Sequence, residues 1–119
     1  MRALPDGPLR RLVDYYEAMT PASLAALGEV YAVDVAFKDP FNDIRGLDPL
    51  RHILGKMYED LEDARFVVTE AVGEGDQAFL IWDFTFRVKR WNPSVVRKIH
   101  GATHVFYQQG LRCCSDLGE

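Results

Sequence analysis

The residues of this chain that carry usable chemistry are few and scattered. Asp39 stands directly before Pro40, at the end of the partly alternating segment Val33-Asp34-Val35-Ala36-Phe37-Lys38. A carboxylate at a strand end can shuttle protons if it faces a cavity. The same Asp-Pro pair, with Asn42 and Asp43 beside it, also reads as turn chemistry. His100 and His104 lie four apart in a segment of strand character, so both imidazoles point to one face. The face predicted for them is the outside of a sheet, because Thr103 and Val105 take the inside; a one-residue slip would reverse that. His52, beside Ile53 and Leu54, is expected at a solvent edge.

Other site classes are excluded by what the sequence lacks. No His, Cys or acid pair has metal-ligand spacing, and no phosphate loop, nucleophile elbow or dinucleotide fingerprint occurs, so no metal and no organic cofactor is expected. Cys113 and Cys114 are adjacent, without further cysteines, and read as reduced thiols. A net charge of −4 argues against nucleic-acid binding. The local exception is Arg87, Lys89, Arg90, Arg97 and Lys98, five cations with no acid between them, read either as a solvated hairpin end or as a surface for an anionic partner. No apolar run approaches the roughly 20 residues of a membrane span, and the first residues lack the apolar core of a signal peptide. A cytoplasmic protein without membrane contact is the expectation.

The elements that must position these residues follow from periodicity. The 119 residues, 48% of them apolar and 27% charged, suit a single domain over 1–119. Leu9, Leu12, Val13 and Tyr16 predict a helix over 8–19, and Thr20-Pro21 opens a second that ends near Ala32. A short strand at 33–40 precedes a turn at Asn42, Asp43 and Gly46. Asp48-Pro49 then begins a third, strongly amphipathic helix with Leu50, Ile53, Leu54, Met57, Tyr58 and Leu61 on one side. Beyond Glu62 the period becomes two, giving strands near 64–73, 77–90 and 95–107 and a short final one after Gly110. In the second of these, Ala78, Leu80, Trp82, Phe84, Phe86 and Val88 form one wholly apolar face. Helices first and long antiparallel strands after predict an α+β domain, a cone-shaped barrel whose curved, mixed or antiparallel sheet wraps around the N-terminal helices.

Several segments, in order, resemble the nuclear-transport-factor-2-like superfamily, which includes ketosteroid isomerase, the SnoaL-type polyketide cyclases and limonene-epoxide hydrolase. They are Leu12-Val13-Asp14-Tyr15-Tyr16, Tyr31 to Pro40, Arg45-Gly46 before Leu50-Arg51, Trp82 to Arg87, and Gly101 to Phe106. The resemblance runs from about residue 8 to residue 112 and implies the fold more than any one activity. By that resemblance Asp39 falls where the isomerase branch carries its general base, and Tyr15, or with a one-residue slip Tyr16, where a phenol donates to an enolate oxygen. Against steroid-type isomerisation, Thr103 stands where the isomerases place a protonated aspartic acid. The Asp-Arg-Asp arrangement of limonene-epoxide hydrolase is also missing.

The resulting expectation is a pocket for a small apolar or polycyclic ligand, lined by Phe37, Phe41, Leu54, Tyr58, Trp82, Phe84, Phe86, Thr103 and Val105. Proton transfer on a carbonyl compound, as in an isomerase or cyclase, is the implied chemistry; a non-catalytic binding or assembly module is the alternative. The final strand is expected to be short or absent and to leave a sheet edge open. The outer face, with Phe79, Ile81, His100, Ala102, His104 and Phe106, is expected to form a homodimer.

Overall fold

The computed structural model describes residues 7–108 and 112–118, with side chains from 7 to 107. The chain order is α1 (Pro8–Glu17), a 3-10 helix (Ala22–Glu29), β1 (Tyr31–Lys38), β2 (Asp43–Arg45), α2 (Leu47–Asp60), β3 (Leu61–Glu74), β4 (Gln77–Val88), β5 (Arg97–Gln108) and β6 (Arg112–Gly118). This is the α+β class expected, with the helices N-terminal to a long run of strands.

Helix α1 buries Leu12, Val13 and Tyr16 on one stripe and starts with Pro8, whose fixed φ suits the first turn. The next segment departs from the expected α-helix. Leu24, Leu27 and Val30 recur every three residues, which the three-residue turn of a 3-10 helix brings to one side, and the helix ends at Glu29 with β1 beginning at Tyr31. Thr20 and Ser23 close its start reciprocally, each backbone N–H donating to the other's hydroxyl at 3.0 and 3.2 Å. Gly46 precedes α2 with φ 105° and ψ 158°, a region closed to side chains, and its N–H donates to Val35 O at 2.8 Å.

The six strands form one sheet in the order β2-β1-β6-β5-β4-β3. All neighbours are antiparallel except β1 and β6, which run parallel. Two expectations are corrected here. The sheet is open, with β2 and β3 as its edges, so it curves without closing into a barrel. The final strand leaves no edge, because β6 inserts between β1 and β5 and is paired on both sides. The Cys113 and Cys114 side chains lie outside the described residues.

Strand β3 bends at two irregularities, between Glu62 and Arg65 and between Val68 and Glu70. At the second, α1 reaches the open edge: Val68 N–H donates to Glu17 Oε2 at 3.0 Å. The core joins Leu12, Val13 and Tyr16 of α1 to Leu27, Val35, Leu50, Leu54, Val68, Leu80 and Val105, of which Leu27, Val35, Leu50, Leu80 and Val105 are wholly buried. The helices therefore cover one face of the sheet and leave the other to solvent.

Candidate functional site

Between the covered face of the sheet and helix α2 lies a cavity of about 640 Å³. That volume falls within the range of small-molecule sites. Register decides which strand residues face it. Leu80 pairs with Thr103, Trp82 with Gly101 and Phe84 with Ile99, and these alternate residues point inward. Trp82, Phe84, Phe66, Ile99 and Thr103 form the sheet wall, and Tyr16, Met19, Tyr31, Phe37, Ile53, Leu54 and Met57 complete the lining. The mouth is polar, with Asp39, Pro40, Phe41 and Asn42 from the β1–β2 loop opposite His52, Lys56 and Asp60 of α2.

Aromatic rings run along the wall in contact. Tyr16 and Trp82 each lie 5.3 Å from Phe66 between centroids, Phe66 stacks on Phe84 at 4.5 Å, and Phe84 on Phe86 at 5.1 Å. Within this lining Trp82 Nε1 donates to Thr103 Oγ1 at 2.8 Å, and Thr103 is only 2% exposed. The hydroxyl accepts from the indole and keeps its own hydrogen to donate.

Asp39 stands at the mouth and also builds the loop that carries it. Its Oδ1 accepts the backbone N–H of Phe41 at 2.8 Å and of Asn42 at 2.7 Å, and the amide of Asn42 at 3.1 Å. Its Oδ2 receives only a longer contact from that amide, at 3.3 Å. The carboxylate is thus held by one oxygen and offers the other. The turn reading of this residue is met by Oδ1.

The two tyrosines separate. Tyr16 lines the cavity, whereas the Tyr15 hydroxyl donates to Ser23 O at 2.7 Å outside it, and burial raises the Tyr15 pKa against the lowering effect of that bond. Of the lining residues expected from sequence, Phe37, Phe41, Leu54, Trp82, Phe84 and Thr103 are there, with Phe41 92% exposed over the mouth. Tyr58, Phe86 and Val105 are placed elsewhere. Tyr58 borders a separate surface groove with Lys89, Phe86 borders another beside Arg87, and Val105 is wholly buried in the core. Alternation correctly gave Phe86 and Val105 their face of the sheet; what it cannot give is the length over which α2 stands away from that face.

Phe66 belongs to the cavity and was not singled out from sequence, while His52, expected at a solvent edge, is exposed and borders the mouth. The signal for Phe66 was present, since Phe66 and Val68 alternate on β3 opposite Phe84 and Trp82. His52 sits one turn before Lys56 and two before Asp60, the three residues by which α2 borders the mouth. His100 and His104 lie on the solvent face, opposite Asp83 and Phe79. There His100 Nδ1 is 2.7 Å from Asp83 Oδ1 and Lys98 Nζ 3.5 Å from Asp83 Oδ2. The hydrogen bond from His100 holds the Asp83 carboxyl below its ordinary range, helped by Lys98 and opposed by desolvation.

Residues 12–111 match the sequence profile of the SnoaL-like domain. No curated protein matches the chain. Among solved structures, a protein with a ketosteroid isomerase-like fold from Catenulispora acidiphila, in complex with trimethylamine, is similar at TM-score 0.77 and 16% identity over 94% of this chain and 83% of that one. A candidate SnoaL-like polyketide cyclase from Shewanella putrefaciens is similar at TM-score 0.76 and 15% identity, over 98% and 90%. A nuclear-transport-factor-2-like protein of unknown function from Burkholderia pseudomallei is similar at TM-score 0.82 and 12% identity, over 97% and 91%. At these identities the likeness is one of fold. No helix among the described residues is long and apolar enough to cross a membrane.

Proposed function

The chain belongs to the SnoaL-like domain family, and from that premise we propose that its cavity binds a small, largely apolar carbonyl compound and transfers a proton on it. The observation that carries this reading is the hydrogen bond from Trp82 to the buried Thr103 hydroxyl within a largely apolar cavity of about 640 Å³. An apolar cavity with a few placed polar groups orients a ligand as well as enclosing it. The Thr103 hydroxyl supplies the donor for the carbonyl oxygen, and Asp39 Oδ2 at the mouth supplies the base. Tyr16 is the phenol on the cavity side.

Native mass spectrometry of the purified chain tests the binding half. An adduct of a few hundred daltons that is lost when Leu54→Trp fills the cavity supports it; an adduct retained by that variant places the ligand elsewhere. The chemical half is read by deuteration of a cyclic ketone beside its carbonyl in heavy water. Exchange promoted by the native chain and lost in Asp39→Asn supports the base assignment, whereas equal exchange by both removes it.

A second role is supported by the solvent face of the sheet. Phe79 stacks on His104 at 4.1 Å, His104 meets Phe106 at 4.4 Å, and Phe79, Val72 and Val67 remain 47, 60 and 41% exposed. Such exposed apolar area on one sheet face is suited to a homodimer of face-to-face sheets. Light scattering on the native chain and Phe79→Asp tests this. A dimer converted to monomer supports it, and a monomeric native chain removes it.

A further inference from the structure

The five cations around the β4–β5 turn do not share one fate. Arg87 Nε meets Asp63 Oδ2 at 3.2 Å, Lys89 Nζ donates to Tyr58 O at 3.2 Å, and Lys98 pairs with Asp83. Arg97 has no oxygen partner among the described residues. Its Nε is buried without an acceptor, and its guanidinium lies 4.4 Å from the ring centre of Trp91, which is itself 67% exposed. A buried donor of a charged group without an acceptor is uncommon in folded proteins. The aromatic face attracts the cation but accepts none of its hydrogen bonds in the plane.

Register places this arginine relative to the cavity. Arg97 pairs with Phe86, one step beyond the Ile99–Phe84 pair that lines the cavity wall. One step of two residues is roughly 7 Å along a strand. The aromatic track from Trp82 through Phe84 to Phe86 therefore ends opposite a cation. Asp60, an acid at the mouth, lies 4.0 Å from Lys56.

We infer that Arg97, backed by Trp91, holds a carboxylate of the cavity's ligand. This rests on the cavity being a ligand site, and it narrows the ligand class to apolar acids: an apolar body along the aromatic wall with one anionic group at the β4–β5 end. Stacking on Trp91 fixes the guanidinium plane and leaves the terminal nitrogens to grip both carboxylate oxygens.

A matched pair of fluorophores tests it on the full chain. Anilinonaphthalene sulfonate carries an anionic group that stands in for the carboxylate, and phenylnaphthylamine is the same ring system without it. The native chain should bind the anionic probe roughly tenfold more tightly, the scale of a charge-assisted hydrogen bond. Arg97→Gln should remove that preference while leaving the affinity for the neutral probe within about twofold, which also reports that the variant is folded. Arg97→Lys, which keeps the charge without the fork, should retain part of it. Lys98→Gln makes the same charge change on the solvent face and should retain all of it. Equal binding of the two probes by the native chain, or equal losses in Arg97→Gln and Lys98→Gln, would overturn the anion site and leave the cavity reading standing. Binding of neither probe would overturn both.

Discussion

Trp82 and Thr103 meet on the diagonal of the β4–β5 ladder rather than directly across it. Trp82 is paired with Gly101 and Thr103 with Leu80, yet the indole N–H reaches the hydroxyl oxygen at 2.8 Å. Diagonal neighbours in a sheet are within reach of long side chains. The glycine opposite Trp82 leaves the indole no side chain to pack against directly across the ladder. Thr103→Val keeps the side chain's shape and removes the acceptor, and should lower stability by about 1 kcal/mol in urea denaturation. Stability equal to that of the native chain would show that the bond contributes nothing.

Asp39 separates structural from chemical roles by a single-atom change. Asp39→Asn retains a carbonyl oxygen for the Phe41 and Asn42 N–H groups, so thermal stability should stay within about 0.5 kcal/mol of native. Asp39→Ala releases both, and should cost about 1 kcal/mol or more. Thermal denaturation of the two variants side by side checks the order.

Gly46 holds φ at 105° where α2 begins. Gly46→Ala keeps every hydrogen bond but forces a side chain into that backbone region, and should destabilise the fold by roughly 1 to 3 kcal/mol. No unfavourable contact is needed for this effect, since the nearest atom to an added Cβ is 3.6 Å away. An unchanged melting temperature would contradict it.

The solvent face gives a pH dependence of definite sign. Asp83 titrates below its ordinary range in the folded chain because His100 donates to it and Lys98 stands near. A depressed carboxyl contributes stability that is present above its unfolded value of about 3.9 and lost as pH falls through the lower folded value. Stability measured from pH 6 to pH 2 should therefore decline less steeply in Asp83→Asn than in the native chain. Identical slopes would mean that the cluster is fully screened by solvent.

The order of elements was legible because their periods differ. Leu9, Leu12, Val13 and Tyr16 can satisfy only a helix, and Ala78 to Val88 only a strand with one apolar face. The 3-10 helix was harder, because Leu24, Leu27 and Val30 fit the first turns of either helix type and only the early start of β1 decides between them. In the cavity, alternation told inside from outside for Trp82, Phe84 and Thr103. Neither alternation nor the helical period carried information on depth, which is why Phe86, Val105 and, on α2, Tyr58 read as lining. Depth depends on the path of α2 over the sheet. The turn role of Asp39 was visible in the Asp-Pro pair beside Asn42, and the hydrogen bonds to Oδ1 bear it out.

The position of β6 bears on how the chain acquires its structure. The β1–β2 hairpin and the β3–β4–β5 meander each form from neighbouring segments, but nothing joins them edge to edge until β6 slots between β1 and β5. Strand β6 is thus the keystone of the sheet. Contacts so distant in sequence form late and slowly. Before β6 arrives, the facing edges of β1 and β5 expose unpaired backbone groups, the surfaces through which incompletely folded chains pair with one another. Amide exchange in β1 and β5 should accordingly gain protection together, in the slowest phase of refolding.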